Sequence, residues 1–370
     1  MFAHDLAFAV SAAIDALVAC SAVAWAARGE RCGSRLLLAG VVAGAVLGAK
    51  GIMMLSRGLA VPFGVMHVVW LDLIVVVPLA GLLALALVGR RPGAGLVRLA
   101  AVVACCLAPV GAYASLVEPE RLVVEREEVE LAPERSGRAP LRVGVLADLQ
   151  FERLGDHERE AVERLMSERP DVILLAGDYH QGTSAGLGRE LPALRRLLAG
   201  LRAPGGVFAV HGDCEGVDEA RRVMAGTGVR LLVNDVARTR VRGRRISVAG
   251  LERDYWSAAA GQTARGLERA RGDRDVRILL AHRPDSVFLL GRPSRVDLVV
   301  AGHTHGGQVQ LPLVGPPTIA SRVPREVGAG GLHSVGGRRI YVSRGVGVER
   351  GQAPRLRLGA PPEVAILTVR

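Results

Sequence analysis

Lysine is almost missing from this 370-residue chain: Lys50 is the only one, so nearly all of the positive charge is arginine. That bias weakens any argument from basic clusters, and the arginine-rich face of Glu268–Arg274 reads as a solvated helix. Aromatic residues make up only 4%. No basic stretch is interleaved with them, and there is no zinc-ribbon spacing or helix-turn-helix pattern, which argues against a nucleic-acid partner. Cysteines are few: Cys20, Cys32, Cys105, Cys106 and Cys214. Beyond residue 117 only Cys214 remains, so that part forms no internal disulfide and fits either redox compartment. Charge is scarce in the first third. Residues 118–370 hold 39 of the 47 basic and 32 of the 36 acidic residues, about +7, which favours anionic partners such as phosphates or lipid headgroups.

The charge-poor first third holds four apolar stretches: Leu6–Ala27, Leu36–Leu55, Val65–Val88 and Leu96–Val117. Each reaches the ~20 residues that a helix needs to cross a bilayer core. Residues 1–5 carry no Lys or Arg, and Asp5 is acidic, so the first stretch does not read as a cleaved leader. Residues 1–117 are therefore expected to form four transmembrane helices. Gly40, Gly44 and Gly48 recur every fourth position, a spacing that suits ordinary close helix packing. Arg28, Arg31 and Arg35 follow the first span, and Arg90, Arg91 and Arg98 the third, whereas the second is followed by Arg57 alone. The positive-inside rule then puts both termini, and the domain after the last span, on the extracytoplasmic side. Asp15, Lys50 and Asp72 fall within spans, where charge is costly. Similar depth on consecutive helices makes Lys50 and Asp72 a candidate pair, with His67 a possible third member.

Residues 118–140 are charged, with prolines at 119, 133 and 140, and read as a linker. After them the pattern changes to short apolar runs, each closed by polar residues. Leu141–Ala147 ends at Asp148-Leu149-Gln150, and Asp171–Gly177 at Asp178. Gly206–His211 ends at Gly212-Asp213-Cys214-Glu215, Val276–Ala281 at His282, and Asp297–Ala301 at Gly302-His303-Thr304-His305. Helical patterns at His157–Arg169, Arg189–Leu201 and Val217–Gly226 lie between the early runs. The alternation implies a mainly parallel sheet in a layered α/β core. Ligands of such sheets sit at the carboxyl ends of the strands, and here those ends deliver aspartates and histidines, a metal-site constellation.

The order of these motifs resembles the calcineurin-like metallophosphoesterases, whose pattern is Asp-x-His, Gly-Asp, Gly-Asn-His, His, Gly-His-x-His. The Gly-His-Thr-His-Gly-Gly-Gln form and the tail around Ile340–Gly347 and Ala360–Val364 resemble the membrane-associated bacterial branch. The resemblance covers roughly residues 140–370 and implies a four-layer α/β/β/α sandwich over 141–370. It also implies two divalent metal ions, Mn, Fe or Zn. By carry-over, Asp178 bridges them, Asp148, Gln150 and His305 belong to the first, and Asp213, His282 and His303 to the second. Two ions about 3.5–4 Å apart neutralise phosphoryl charge and provide hydroxide near neutral pH.

Three positions depart from the pattern. Gln150 stands in place of histidine, Asp213 in place of asparagine, and Cys214 in place of the histidine that contacts the leaving group. A thiol near pKa ~8.5 is a poor substitute for an imidazolium donor. His211 and His180 are nearby candidates to supply the missing imidazole; His211 also reads as a core histidine and His180 as a loop residue. His157 reads as a solvated surface group, His333 as a loop residue, and Arg344 as a possible phosphate clamp. The chain thus reads as a membrane-anchored phosphoesterase acting on a phosphomonoester, phosphodiester or pyrophosphate of a small molecule or lipid. Asp213, Cys214 and His211 are its candidate catalytic groups beside the metal ligands. The resembling family includes hydrolases of UDP-2,3-diacylglucosamine, a substrate that would require a cytoplasmic face. The alternative reading is a weakly active or inactive domain that senses a phosphorylated ligand.

Overall fold

The structure, a computed structural model, describes residues 3–27, 62–88, 94–132, 135, 139–270, 274–349 and 353–370. The chain divides into two compact units, Met1–Val117 with Arg350–Arg355, and Glu118–Glu349 with Leu356–Arg370.

The first unit is helical. Helix α1 covers Ala3–Ala27. Helix α2 (Pro62–Leu71) runs through a π-helical turn, Asp72–Val76, into α3 (Val77–Val88), and α4 (Gly95–Ala112) ends in a second π turn, Tyr113–Val117. Among the described residues, three helical stretches, Phe8–Trp25, Phe63–Val88 and Gly95–Glu120, are long and apolar enough to cross a membrane. Leu17, Leu82, Leu96 and Leu99 turn outward on them, as side chains facing an apolar solvent do. The polar groups turn inward: Asp15 and Asp72 are buried, and His67 stacks on Phe8 with ring centroids 4.4 Å apart. Asp72 opens the π turn, a local widening that often marks a special site in a helix. The expected span 36–55 and Lys50, the expected partner of Asp72, lie outside the described residues.

The second unit holds two six-stranded sheets. The first has the order β1-β12-β2-β3-β4-β5: β1 (Val123–Val129), β12 (Glu363–Val369), β2 (Leu141–Leu146), β3 (Val172–Leu175), β4 (Val207–Ala209) and β5 (Arg230–Leu231). The second has the order β10-β11-β9-β8-β7-β6: β10 (Gly331–Val335), β11 (Arg338–Val342), β9 (Leu298–Ala301), β8 (Val276–Leu280), β7 (Arg244–Gly250) and β6 (Asp235–Val241). Both sheets are mixed, with parallel centres β2-β3-β4 and β7-β8-β9. Alternation along each strand builds the layers. Val143, Val145 and Leu174 of one sheet meet Ile278, Leu280 and Val300 of the other in a shared core. Leu146, Ile173 and Leu175 instead pack on α5 (Asp156–Ser167) and α6 (Ser184–Ala199), together with residues of α7 (Val217–Met224). On the far side, Leu279 and Val299 pack on α8 (Ala258–Arg269). The layers are thus helix, sheet, sheet, helix.

Two expectations change. The apolar runs do not form one sheet: β2, β3 and β4 belong to the first, β8 and β9 to the second. Residues 118–140 are not a plain linker, because β1 pairs in parallel with β12, from Val123 opposite Glu363 to Val129 opposite Val369. Two minor readings also shift. His157 is half-buried and hydrogen-bonds the Val346 carbonyl at 3.1 Å, and His333 lies in β10.

Candidate metal centre

Five strand ends from two sheets meet at one edge, and their backbone is bent to do so. Asp148, Gln150, Asp178, His303 and His305 all have positive φ, between 38° and 74°. Such conformations are uncommon for residues other than glycine and cluster where the surrounding fold enforces them at functional sites. Glycines supply the necessary close approach. A Cβ at Gly212 would collide with the Asp178 carboxylate, and one at Gly302 with that of Asp148.

Asp148 is fully buried, and its carboxylate accepts from the His303 backbone N–H at 3.1 Å. Burial, reinforced by the Asp178 charge, pushes its pKa well above the usual carboxylate range. Asp178 Oδ1 accepts from the Cys214 N–H at 2.8 Å, and Oδ2 from the Gln150 amide at 3.0 Å. His282 is buried between them. Its Nδ1 is 2.8 Å from the Ala176 carbonyl, which makes it the donor and leaves Nε2 with a lone pair. Nε2 has no hydrogen-bond partner and lies 3.4 Å from Asp178 Oδ2 and 3.8 Å from Asp213 Oδ2. Burial holds His282 below its ordinary pKa, hence neutral.

His303 is anchored likewise. Nε2 is 2.8 Å from the Ala320 carbonyl, and Nδ1 is 3.0 Å from Asp213 Oδ2. Burial alone would lower its pKa, but the Asp213 carboxylate outweighs it and the net direction is up. Asp213 moves the opposite way. Burial would raise it, yet His303, His282 and Arg283 together pull it well below the usual range. Arg283 forms a two-pronged pair with it, at 2.8–3.1 Å. His305 is buried, with Nδ1 3.2 Å from Arg357 Nη2 and Nε2 without a hydrogen bond. Burial, then the Arg357 charge, drives its pKa well down.

Two sets of ligand atoms lie within 4.8 Å of one another: Asp213, His282 and His303; and Asp148, Asp178 and His282. The mix of carboxylate oxygens and imidazole nitrogens suits Mn, Fe or Zn. The lone pair of His282 Nε2, buried and aimed at two carboxylates, is what a cation would complete. On that ground these residues fit divalent metal ions. Gln150 lies beside the second set, presenting its amide nitrogen to Asp178, and His305 is outside both sets.

The remaining expected groups are placed as follows. Cys214 Sγ accepts from Gln150 at 3.4 Å; burial and the Asp178 charge push its pKa far up, so it is a neutral thiol and no activated nucleophile. His180 and Cys214 line one cavity of about 20 Å³, room for a single water, and His180 Nε2 has no hydrogen-bond partner. His211 Nε2 accepts from the Arg253 N–H at 3.2 Å, and the ring belongs to neither ligand set. Arg344 pairs with Glu363 at 2.6 Å and Glu125 at 2.8 Å.

Two further groups escape the sequence reading. Glu215, buried, accepts from the backbone N–H of Asp178, Tyr179 and Gly212, lacing the β3 and β4 ends together. Burial and Asp178 raise its pKa, while the three N–H groups oppose the shift. Its place directly after Gly212-Asp213-Cys214 is the one available signal. Arg357 is fully buried; it donates to the carbonyls of Gly347 and, at 3.1 Å, Ala360, beside its contact with His305. Among so many arginines nothing in the sequence marks it.

Comparison with known proteins agrees with this geometry. The family model for calcineurin-like phosphoesterases matches residues 141–307. Phosphodiesterase YaeI of Escherichia coli (strain K12) is 32% identical over 241 residues, 63% of this chain and 83% of that protein. The uncharacterized metallophosphoesterase YkuE of Bacillus subtilis (strain 168) is 31% identical over 216 residues, 55% of this chain and 68% of the relative. TT1561 of Thermus thermophilus, a solved structure, overlays with a TM-score of 0.37 at 13% identity, over 56% of this chain and 91% of that one, too loosely to add to the assignment. Identity at the level of the first two relatives, over most of a phosphodiesterase's length, together with a family model that spans the strand ends, makes this chain a member of the calcineurin-like phosphoesterases, hydrolases of phosphoester bonds.

Proposed function

We propose that the chain is a membrane-anchored phosphoesterase that uses two divalent metal ions to hydrolyse a phosphodiester, phosphomonoester or pyrophosphate. A phosphorylated lipid or small molecule is the substrate, and nucleic acid is not. The observation that carries the reading is the orientation of His282: a neutral buried imidazole, fixed by the Ala176 carbonyl, aims an unused lone pair at Asp178 and Asp213.

Bound divalent ions supply Lewis acidity and hydroxide near neutral pH. The protein does the rest. Asp178 Oδ2 stands between Gln150 and His282, 3.0 and 3.4 Å away, from where the carboxylate would serve both sides of the centre. The Ala176 and Ala320 carbonyls fix the tautomers of His282 and His303, a support that typically matters 10–100-fold for metal affinity, as an order of magnitude. Asp213 and the Cys214 side chain border the position of the departing oxygen, where a neutral thiol can donate only a weak hydrogen bond.

The apolar helices favour anchoring, with the second span and the four-helix count as part of the proposal. Arginine placement favours an extracytoplasmic hydrolase domain. The test is hydrolysis by the full chain in detergent with Mn²⁺, comparing a water-soluble phosphodiester with a phosphodiester lipid in vesicles. The anchored reading predicts a preference for the vesicle substrate that a soluble fragment, residues 118–370, lacks. Equal preference in both forms counts against a lipid substrate.

A further inference from the structure

The two halves of the centre are built differently. On one side, two imidazoles and a carboxylate converge: His282 Nε2 and His303 Nδ1 approach Asp213 Oδ2 at 3.8 and 3.0 Å, each ring fixed by a carbonyl at 2.8 Å. Arg283 holds Asp213 in a two-pronged pair, but its side chain is 40% exposed, so solvent screens its charge.

The other side is poorer in donors. Its compact set, Asp148, Asp178 and His282, shares its imidazole with the first side, and the further imidazole, His305, stands outside both sets. Gln150 stands beside Asp178, and a carboxylate oxygen can only accept, so the amide atom 3.0 Å from Asp178 Oδ2 must be the N–H₂ donor. An amide nitrogen has no lone pair for a metal, so in that pose this position lacks the ligand that an imidazole would give. A unit positive charge is also built in. Arg357 is wholly buried, 3.2 Å from His305 Nδ1, its hydrogen bonds go to carbonyls and that ring, and its charge acts on the Asp148 carboxylate. Shielded from solvent, it competes with a cation for Asp148 and repels one beside His305.

We infer that the two metal positions are unequal. The Asp178–Asp213–His282–His303 position binds first and holds its ion. The Asp148–Gln150–His305 position is weak and exchangeable, so the doubly loaded state is set by the free metal concentration. This rests on the metal-dependent reading above, but it is read by counting ions, without turnover.

The full chain in detergent is stripped with a chelator, reloaded with Mn²⁺, desalted and analysed for metal by mass spectrometry. The wild type should keep one Mn²⁺ per chain after desalting and reach two only in excess Mn²⁺. Affinities should differ by about 10–100-fold or more, the order typical of one altered supporting group. Gln150→His should carry two ions through desalting, and Asp213→Ala should lose the retained one. Two ions retained by the wild type, or a retained ion lost in Asp148→Ala and kept in Asp213→Ala, would overturn the inference while leaving metal dependence intact. No bound metal under any condition would overturn both. Gln150→His changes an amide for a ring of similar reach; a melting temperature within a few degrees of wild type shows that the variant folds, and one ion retained by that folded variant also overturns the inference.

Discussion

Glu215 offers a graded perturbation whose size can be worked from the structure. Its Oε1 accepts from Asp178 N at 3.0 Å and Gly212 N at 2.8 Å, and its Oε2 from Tyr179 N at 3.1 Å. Leaving one buried donor unsatisfied costs about 1–3 kcal/mol. Glu215→Ala strands all three donors, so about 3–9 kcal/mol is expected. Glu215→Gln can keep its oxygen at the Oε1 position and serve two of them, losing only the bond to Tyr179, about 1–3 kcal/mol. For a unit of this size each kcal/mol moves the melting temperature by about 2–4 °C. The Gln variant should therefore melt about 2–12 °C lower, and the Ala variant at least ~6 °C lower and always below the Gln variant. Calorimetry of the metal-free full chain measures both. Equal shifts, or an Ala variant within about 2 °C of wild type, would refute the view that Glu215 ties the two strand ends together.

Cys214→His should raise turnover by at most ~10²–10⁴-fold, the range of a placed general acid. It should also lower stability by about 1–3 kcal/mol, because a cavity of about 20 Å³ cannot take the larger ring unstrained; a slower and equally stable variant would contradict this. Asp213→Asn and Arg283→Gln should each disturb metal affinity, and the double variant, which restores a neutral ligand without its arginine, should recover part of the loss. Additivity in that cycle would show that the pair is not coupled. His303 has a raised pKa in the metal-free fold. Its pair with Asp213 therefore adds stability fully present below the ordinary value of 6.5 and lost as pH rises through the raised one. Metal binding needs the neutral ring, so the metal-induced gain in melting temperature should grow from about pH 6 to about pH 8; a constant or shrinking gain would contradict the assignment.

The candidate ligand positions Asp148, Asp178, His282 and His303 were legible because each closes an apolar run with a charge or an imidazole. The division of the strands between two sheets was not. Leu174 and Leu280 face the same inter-sheet core from opposite sheets, and a strand buried on both faces looks alike in either. Strand β1 was hidden by its own chemistry. Glu125, Glu127 and Glu128 give a half-buried edge strand the composition of a linker, as charged edges commonly do. Arg357 and Glu215 act through backbone carbonyls and amides, which carry no residue-specific signature, so only the folded chain reveals them. Positive φ at five candidate site positions is likewise a property of the assembled site.

The central claim, that buried carboxylates and imidazoles at these strand ends hold metal ions for phosphoester hydrolysis, is tested most directly with Asp178→Asn. Metal content and hydrolysis of a generic phosphodiester are measured side by side on the full-length wild type and variant, each stripped with chelator and reloaded with Mn²⁺. The account predicts turnover in the wild type that vanishes with the metal and returns with it, and a variant that loses most of both. A variant that retains two ions with unchanged turnover, or a wild type whose turnover ignores the chelator, would contradict it.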